Sequence, residues 1–325
     1  MALPKLGYLC LSENPSGEEG RALVRQFVLV READRMGYDD IWLGEHHFDR
    51  AWPTGAITAL LGHLAAVTSK ARIGAMVLTP ALRDAVQLAE DVATIDLLSK
   101  GRFEFGAASG VAFANTLSAC GLGPAEARQR LRSSLALVQD LLSGQPLPGG
   151  DAARPVTLVP MPAQRPLRVW IASDDEASLR HAASQGWGLM AAATHSRARV
   201  RRAVQLYTEA SGGRAPALVL ARFACTAATR DEALTIARPY FETFAAKARA
   251  AGWGTSRERS IAGDVQALVE ESLVGSHAEV AAQFHALGTA YGASRVAIVP
   301  TSAQFDTHKH ILADFVDEVR PLFDE

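Results

Sequence analysis

Three consecutive ionisable residues, Glu45, His46 and His47, end the apolar run in DDIWLGEHHFDR. Imidazole titrates near neutral pH, so either histidine can act as a general base or as a hydrogen-bond donor, and Glu45 can set a histidine tautomer. Neighbouring side chains of a strand point to opposite faces, so both histidines reach one substrate only if the strand has already ended. The alternative is a satisfied hydrogen-bonded cluster that closes the fold at this point.

A metal site is the competing interpretation of these histidines. Adjacent histidines on one strand are poor chelators, and the better His-x-His spacing occurs at His308 and His310, where the last helix is predicted to begin. A capping or surface role explains that second pair more simply. The sequence therefore favours acid–base or hydrogen-bonding chemistry over metal chemistry at 45–47.

Short runs rich in Val, Ile and Leu alternate with stretches of helical period, which is typical of βα units around a parallel sheet. The predicted strands are 6–11, 40–44, 72–78, 102–107, 167–172, 188–192, 217–225 and 295–299. The predicted helices are 20–36, 84–98, 125–142, 176–185, 197–210, 232–250, 278–291 and 307–323. Eight such units favour a closed (β/α)₈ TIM barrel, in which strand ends such as 45–47 carry the active site, although an open doubly wound sheet fits the same pattern. The segment SENPSGEEGR after the first strand lacks the GxGxxG of a dinucleotide-binding fold.

Two segments interrupt this alternation: the proline-rich 143–166 and the aperiodic 252–273. Loops of that length within a domain are usually lids or insertions. We therefore predict a single domain over 1–325 with excursions at these two places, the first following a helix and the second being the better lid candidate.

Composition excludes several classes of function. The net charge is -2 and the hydrophobic fraction is 48%, so nothing draws the chain to nucleic acid or to an anionic membrane. Cys10, Cys120 and Cys225 form no CxxC pair and are expected to be buried thiols in a reducing compartment. Neither a signal peptide nor a transmembrane run is recognisable, so we expect a soluble, cytoplasmic protein.

The segments DDIWLGEHHF and GAMVLTPALRDAVQLAEDVATIDLLSKGRFEFGAASG together resemble the signature of the luciferase-like flavin-dependent monooxygenases. VWIASDDEASLRHAASQGWGLM and the carboxyl-terminal GASRVAIVPTSAQFDTHKHILADFVDEVRPLF are similar to later parts of that family, so the resemblance spans nearly the whole chain. It implies a (β/α)₈ barrel, often dimeric, with a flavin ring at the mouth of the barrel.

The resemblance also implies roles for particular residues. His46 matches the catalytic or flavin-proximal histidine, with Glu45 as its catalytic neighbour and His47 near the cofactor. The stretch 76–79, represented by Met76, Val77 and Thr79, corresponds to backbone that supports the flavin ring, often through a non-prolyl cis peptide.

The flavin phosphate is expected at the end of the fourth strand and at the turn into the helix after the fifth. Ser109, Gly110, Ser173 and Ser178 are the candidates, since hydroxyls and N–H groups at a helix start bind anions and glycine lets the backbone approach closely. The alternative is that Ser173 or Asp174 merely caps the helix.

One departure from bacterial luciferases bears on the chemistry. Where they carry a reactive cysteine followed by an arginine, this chain has Ala108 and Ser109, so light emission is not supported and a cationic phosphate anchor is missing. Possible replacement cations are Arg168, Arg180, Arg197 and Arg222.

The leading expectation is a monooxygenase that uses O₂ and reduced FMN, made by a separate flavin reductase, to oxidise a small organic substrate. Hydride transfer with F420, or flavin binding without turnover, are the alternatives. Phe48, Trp52 and Phe113 suit an apolar substrate or simply pack. A homodimer is expected through helices that hold Ala65, Val67, Leu88 and Ile95, unless those faces pack on the barrel.

Overall fold

The computed structural model describes residues 3–149, 151–253 and 260–323. Within these residues the strands are β1 Lys5–Cys10, β2 Asp40–Leu43, β3 Arg72–Ala75, β4 Phe103–Ala107, β5 Val169–Ile171, β6 Gly188–Ala191, β7 Leu218–Ala227, β8 Leu273–Ser276 and β9 Ala293–Pro300. The α-helices are α1 Glu19–Met36, α2 Ile57–Val67, α3 Ala85–Leu98, α4 Ala114–Ala119, α5 Pro124–Leu142, α6 Glu176–Gln185, α7 Arg197–Ala210, α8 Arg230–Ala250, α9 Val265–Glu271, α10 His277–Tyr291 and α11 Phe305–Asp314.

Eight of the strands close into a barrel. All pairings are parallel, and their order is β1-β2-β3-β4-β5-β6-β7-β9, with β9 returning to β1. The short β8 pairs only with the last residues of β7. The predicted (β/α)₈ barrel is therefore confirmed, and its eight strands are the eight predicted ones. Because βα units alternate, the carboxyl ends of all barrel strands meet at one mouth.

Helix ends follow local sequence signals. The Asp84 carboxylate accepts hydrogen bonds from the N–H groups of Val86 and Gln87 and so caps the start of α3. Helix α1 ends at Gly37, whose φ of 88° is a left-handed conformation that glycine adopts at little cost. These two helix ends lie where the sequence predicted them.

In the barrel interior, large side chains pack against positions occupied by small residues. β2 and β4 are buried along their whole length, as expected for strands covered on both faces. A Cβ placed on Gly74 would lie 2.6 Å from the indole of Trp42, so glycine is needed there to make room for the tryptophan. One large apolar cluster joins this interior to the surrounding helices.

Several sequence predictions need correction. Helices α4 and α9 and strand β8 were not predicted, and α2 was expected only as a helix that holds Ala65 and Val67, without bounds. The last predicted helix, 307–323, is α11 followed by a π-helical turn and a short 3₁₀ helix. The second excursion, 252–273, is partly helical, since it contains α9; residues 254–259 of it lie outside the described residues. Cys120 is exposed at the end of α4, where its side chain is not covered, whereas Cys10 and Cys225 are buried.

The first excursion, 143–166, contains no helix or strand in its described part and packs at the amino end of the barrel. Gln164 bridges the Asp96 carboxylate, the Phe103 carbonyl and the Arg72 guanidinium. This segment is therefore far from the mouth. Among the helices of the described residues, none combines the length and the apolar character that crossing a bilayer would require.

Candidate active site

A cavity of about 800 Å³ opens at the carboxyl ends of the barrel strands. Its lining includes nine of the ten site residues predicted from the sequence: Glu45, His46, His47, Met76, Val77, Thr79, Ser109, Gly110 and Ser173. Ser178 is fully buried and does not line it. The volume of the cavity is in the range of cofactor and substrate pockets.

Glu45 is the centre of a buried ionic triad. One carboxylate oxygen lies 2.8 Å from His47 Nε2, and the other lies 2.9 Å from a guanidinium nitrogen of Arg83. Burial favours the neutral acid, but the hydrogen bond from His47 and the charge of Arg83 outweigh it and lower the pKa of Glu45. Glu45 also accepts a weak hydrogen bond from the Thr79 N–H, so the triad ties the chain after β2 to the chain after β3.

His46 has a different environment from its neighbour. Its backbone N–H donates to the hydroxyl of Thr54. Its ring packs against Trp52 and Phe113 at centroid distances of 5.0 and 5.3 Å. No described residue forms a hydrogen bond with its ring nitrogens. Burial lowers the pKa of His46 to about 4, so the ring is neutral at physiological pH and presents one donor and one acceptor nitrogen at the cavity.

The stretch after β3 forms part of the cavity wall. The Met76–Val77 peptide is cis, as the family resemblance had suggested for this position. The Met76 N–H donates to Leu43 and the Leu78 N–H to Gly106, so this backbone is fixed between its two neighbouring strands. Met76 and Val77 present an apolar surface there, while the Thr79 side chain stands beside Gly110.

The neighbouring part of the cavity lining, which we call the polar end, carries hydroxyl and carboxylate groups. Ser109 and Gly110 follow β4, and Ser173 and Asp174 follow β5. Gly110 has a φ of 77°, and a Cβ there would lie 2.8 Å from Thr79 Cγ2. Asp175, rather than Ser173 or Asp174, caps α6, and the Ser173 hydroxyl accepts a hydrogen bond from the backbone N–H of Asp175.

Ser178 belongs to the α6 cap. Its N–H and its hydroxyl both donate to the Asp175 carboxylate, which Arg132 also contacts at 3.3 Å. This buried arrangement explains why Ser178 lies away from the cavity despite its position in the predicted turn.

A sequence model of the luciferase-like monooxygenases matches residues 4–294 of this chain. The chain belongs to that family. Its curated relatives include the 4-hydroxyprotoasukamycin monooxygenase of Streptomyces nodosus subsp. asukaensis, 32% identical over 133 residues. They also include the alkanal monooxygenase alpha chain of Photobacterium phosphoreum, 35% identical over 100 residues. These matches cover 40% and 30% of this chain, and only 35% and 28% of the relatives' own lengths.

Solved structures agree with the fold over almost the whole chain. Monooxygenase RslO1 from Streptomyces bottropensis has a TM-score of 0.82 at 22% identity, covering 98% of this chain and 99% of that one. The oxygenating constituent of 3,6-diketocamphane monooxygenase from Pseudomonas putida, solved with FMN, has a TM-score of 0.78 at 18% identity, with 99% of both chains covered. An F420-dependent secondary alcohol dehydrogenase has a TM-score of 0.73 at 15% identity, covering 99% of both chains.

The arginines at the polar end of this luciferase-like site differ from those expected. Arg128 of α5 and Arg199 of α7 line the cavity, and Arg199 lies 3.4 Å from the Asp174 carboxylate. No ion pair joins Arg128 to another described residue. Sequence reasoning missed both, although each sits near the start of a helix, and helices of this fold start at the mouth.

The four predicted replacement cations do not line the cavity. Arg168 pairs with Glu104 at the amino end of the barrel, and Arg180 pairs with Glu176 on the exposed face of α6. Arg197 donates to the Glu270 carbonyl, and Arg222 is a buried residue of β7 whose guanidinium donates to the Ala221 carbonyl.

The histidines considered for metal binding do not converge. His308 is buried and its ring bonds to the Tyr8 hydroxyl and the Ser302 carbonyl, whereas His310 is exposed and faces Asp314. His310 therefore has the predicted surface role, whereas His308 is neither a cap nor a surface residue, because its ring is buried between β1 and the chain after β9.

Proposed function

We propose that this chain is a monooxygenase that binds reduced FMN, supplied by a separate flavin reductase, and uses O₂ to oxidise a small organic substrate. The observation that carries the proposal is the cavity at the barrel mouth, whose lining combines hydroxyls and arginines with His46 among aromatic rings. The names of the relatives support the same class of reaction.

The residues present fit FMN. Ser109 and Ser173 offer hydroxyl donors, and Arg128 offers a cation that has no ion-pair partner among the described residues; such groups suit a phosphate dianion. Gly110 is the residue that fits at this point of the lining, because its φ is 77° and the Thr79 methyl group fills the space that a side chain would need. Met76, Val77 and Thr79 form the neighbouring wall against which a flat ring would lie, with His47 beside them. Ser178 is left out of this proposal because it does not line the cavity.

When bound, the reduced flavin supplies two electrons to O₂, so that one oxygen atom enters the substrate and the other leaves as water. His46 is the proposed catalytic residue. As a neutral imidazole it holds a hydrogen bond to a substrate hydroxyl or carbonyl, and its low pKa suits this better than storing a proton at neutral pH.

Glu45 is proposed as a positioning residue rather than one that touches substrate, because both of its oxygens are already used by His47 and Arg83. Trp52, Phe113 and Trp253 cover the His46 end and limit the entry of water, which strengthens polar interactions inside the site.

The test is an anaerobic titration of the purified protein with reduced FMN and, in parallel, with reduced F420, followed by admission of oxygen. We expect reduced FMN to bind tightly under anaerobic conditions. After oxygen is admitted, we expect a persistent absorbance band that neither reduced nor oxidised FMN shows. Binding of F420 alone would replace it with hydride transfer, which the F420-dependent structural neighbour makes the second candidate. Binding of FMN with no altered reaction with oxygen would indicate a flavin-binding protein without turnover.

A further inference from the structure

One end of the cavity is built almost entirely from rings. We call this set the aromatic wall: His46, Trp52, Phe113, Phe244 and Trp253. Trp52 and Trp253 stack at 5.7 Å with an interplanar angle of 21°, and Phe113 stands edge-on to Trp253 at 5.9 Å. Phe48 stands 85% exposed at the rim of the same end.

The rings hold one another in place, so the wall is a rigid surface. His46 lies between Trp52 and Phe113, and Phe244 supports Trp52 from α8 at 6.4 Å. Rigid ring faces and edges recognise a flat aromatic guest through offset stacking and edge-to-face contacts, which add to simple burial. A flexible alkyl chain gains only burial from the same surface and loses rotational freedom on binding.

Aliphatic side chains line a different part of the cavity. Leu9, Met190 and Val299 belong to or directly border the barrel strands, together with Met76 and Val77. That surface is the one proposed above to face the cofactor. The substrate then occupies the remaining space, which is bounded by the aromatic wall.

His46 gives the wall one polar contact. Its ring nitrogens have no hydrogen-bond partner among the described residues, and the neutral ring has one lone pair free to accept. A phenolic hydroxyl is a strong donor to such a nitrogen. Asp49 also lines this end, and its charge disfavours a substrate carboxylate there.

From this juxtaposition we infer that the substrate is a planar, fused-ring phenol, stacked against Trp253 and Phe113 with its hydroxyl on His46. The inference rests on the proposed function, because it assigns the part of the cavity that the cofactor leaves free.

Three probes with equal numbers of carbon atoms separate the possibilities: 2-naphthol, decahydro-2-naphthol and decanal. Their affinities for the FMN-loaded protein are measured by equilibrium dialysis. Two ring contacts are expected to make 2-naphthol bind about tenfold more tightly than its saturated analogue. Equal or tighter binding of decahydro-2-naphthol or decanal overturns the inference.

Trp253→Leu removes one ring and keeps an apolar side chain. Because one of the two ring contacts is lost, it is expected to lower the affinity for 2-naphthol about threefold and to leave that for decahydro-2-naphthol unchanged. Phe113→Leu, from a different segment, repeats the test if Trp253→Leu does not fold. Phe305→Leu is the matched control, since Phe305 packs under Arg25 outside the cavity.

An equal loss for all three probes in Trp253→Leu and in Phe113→Leu would show that the rings only pack, and would also overturn the inference. These outcomes are distinct from failure of the proposed function. If FMN itself does not bind, the proposed function fails first; if FMN binds and 2-naphthol shows no preference, only the substrate class is wrong.

Discussion

The two ends of the barrel both bury carboxylates beside arginines, but they do so differently. At the amino end, Arg295 of β9 lies across the interior, 3.4 Å from Asp40 and 3.1 Å from Glu104. The Trp170 indole N–H donates to Glu104 at 2.7 Å, and Arg295 lies over the Trp170 ring. These side chains come from β2, β4, β5 and β9, so they fill the interior there.

At the mouth, Arg83 approaches Glu45 from outside the strands, after the 3₁₀ turn that follows β3. The triad of Glu45, His47 and Arg83 therefore lies to one side, and the interior stays open as the cavity. Buried ion pairs thus fill the interior at the amino end of the barrel, whereas at the mouth they hold the residues of a site in place beside an open cavity. Changes at the amino end should therefore act mainly on stability, whereas changes at the mouth should act on turnover as well.

Glu104→Gln should cause the largest loss of stability. It leaves Arg295 and Arg72 beside a neutral amide in a buried position, and breaking such an ion pair costs about 3 to 5 kcal/mol. Urea denaturation gives the free energy of unfolding. The control Glu126→Gln, in an exposed pair with Arg130, should change it by less than about 0.5 kcal/mol. If the folded fraction of Glu104→Gln also lost affinity for FMN, the two ends would not be independent.

His46→Gln should affect activity rather than stability. The free energy of unfolding should change little, while turnover should fall about 100-fold, which corresponds to a barrier increase of about 2.7 kcal/mol. FMN affinity should stay near that of the wild type, since the role of His46 is to contact substrate. Steady-state oxygen consumption and flavin titration measure the two quantities separately. Unchanged turnover would remove His46 from the reaction.

Arg83→Met should separate positioning from chemistry. It leaves the buried Glu45 with His47 and the weak hydrogen bond from the Thr79 N–H, and loss of a hydrogen bond to a charged group costs about 1.5 to 3 kcal/mol. Turnover should fall because the chain after β2 is less firmly held, and Arg83→Lys should restore part of both losses. Rescue of stability without any rescue of turnover would contradict a positioning role.

Asp40→Asn tests the buried charges at the amino end of the barrel through the pH dependence of the free energy of unfolding. Burial raises the pKa of Asp40 to about 7, so the folded state holds this proton where the unfolded chain, with an ordinary pKa near 3.9, has released it. The wild type should therefore lose stability relative to Asp40→Asn as pH rises from about 4 to 7, by at most about 1.4 kcal/mol per pH unit, and stay level above that range. Denaturation of both proteins at several pH values measures the difference between their free energies of unfolding. If the advantage of Asp40→Asn over the wild type grew as the pH fell, the prediction would be wrong.

The fold was largely predictable from the sequence because the alternation of apolar runs and helical stretches is local. Predictability failed where the signal is weak: α9 lies in a segment without clear periodicity, and α4 has only one turn and a half of chain, with Leu117 as its sole buried residue. The strand ends were nevertheless placed well enough to bring together most of the predicted site.

The side-chain partners within the site were less predictable. Glu45, His46 and His47 were recognisable as a group, but which histidine bonds Glu45 depends on how the chain turns after β2 ends at Leu43. Arg83 is distant in sequence, and Trp253 comes from an excursion that offered no pattern. Arg128 was missed because a charge on an amphipathic helix looks like ordinary solvent-facing sequence until the start of that helix is placed at the mouth.

The most direct test of the account asks whether the polar end of the cavity holds the cofactor phosphate. The affinities of FMN and of riboflavin, which lacks the phosphate, are measured for the wild type, for Arg128→Met and for Arg130→Met, a matched change in an arginine paired with Glu126 outside the cavity. We predict that the wild type and Arg130→Met prefer FMN by about tenfold or more and that Arg128→Met loses most of this preference without losing affinity for riboflavin. Equal binding of FMN and riboflavin by the wild type, or an unchanged preference in Arg128→Met, would contradict the proposed placement.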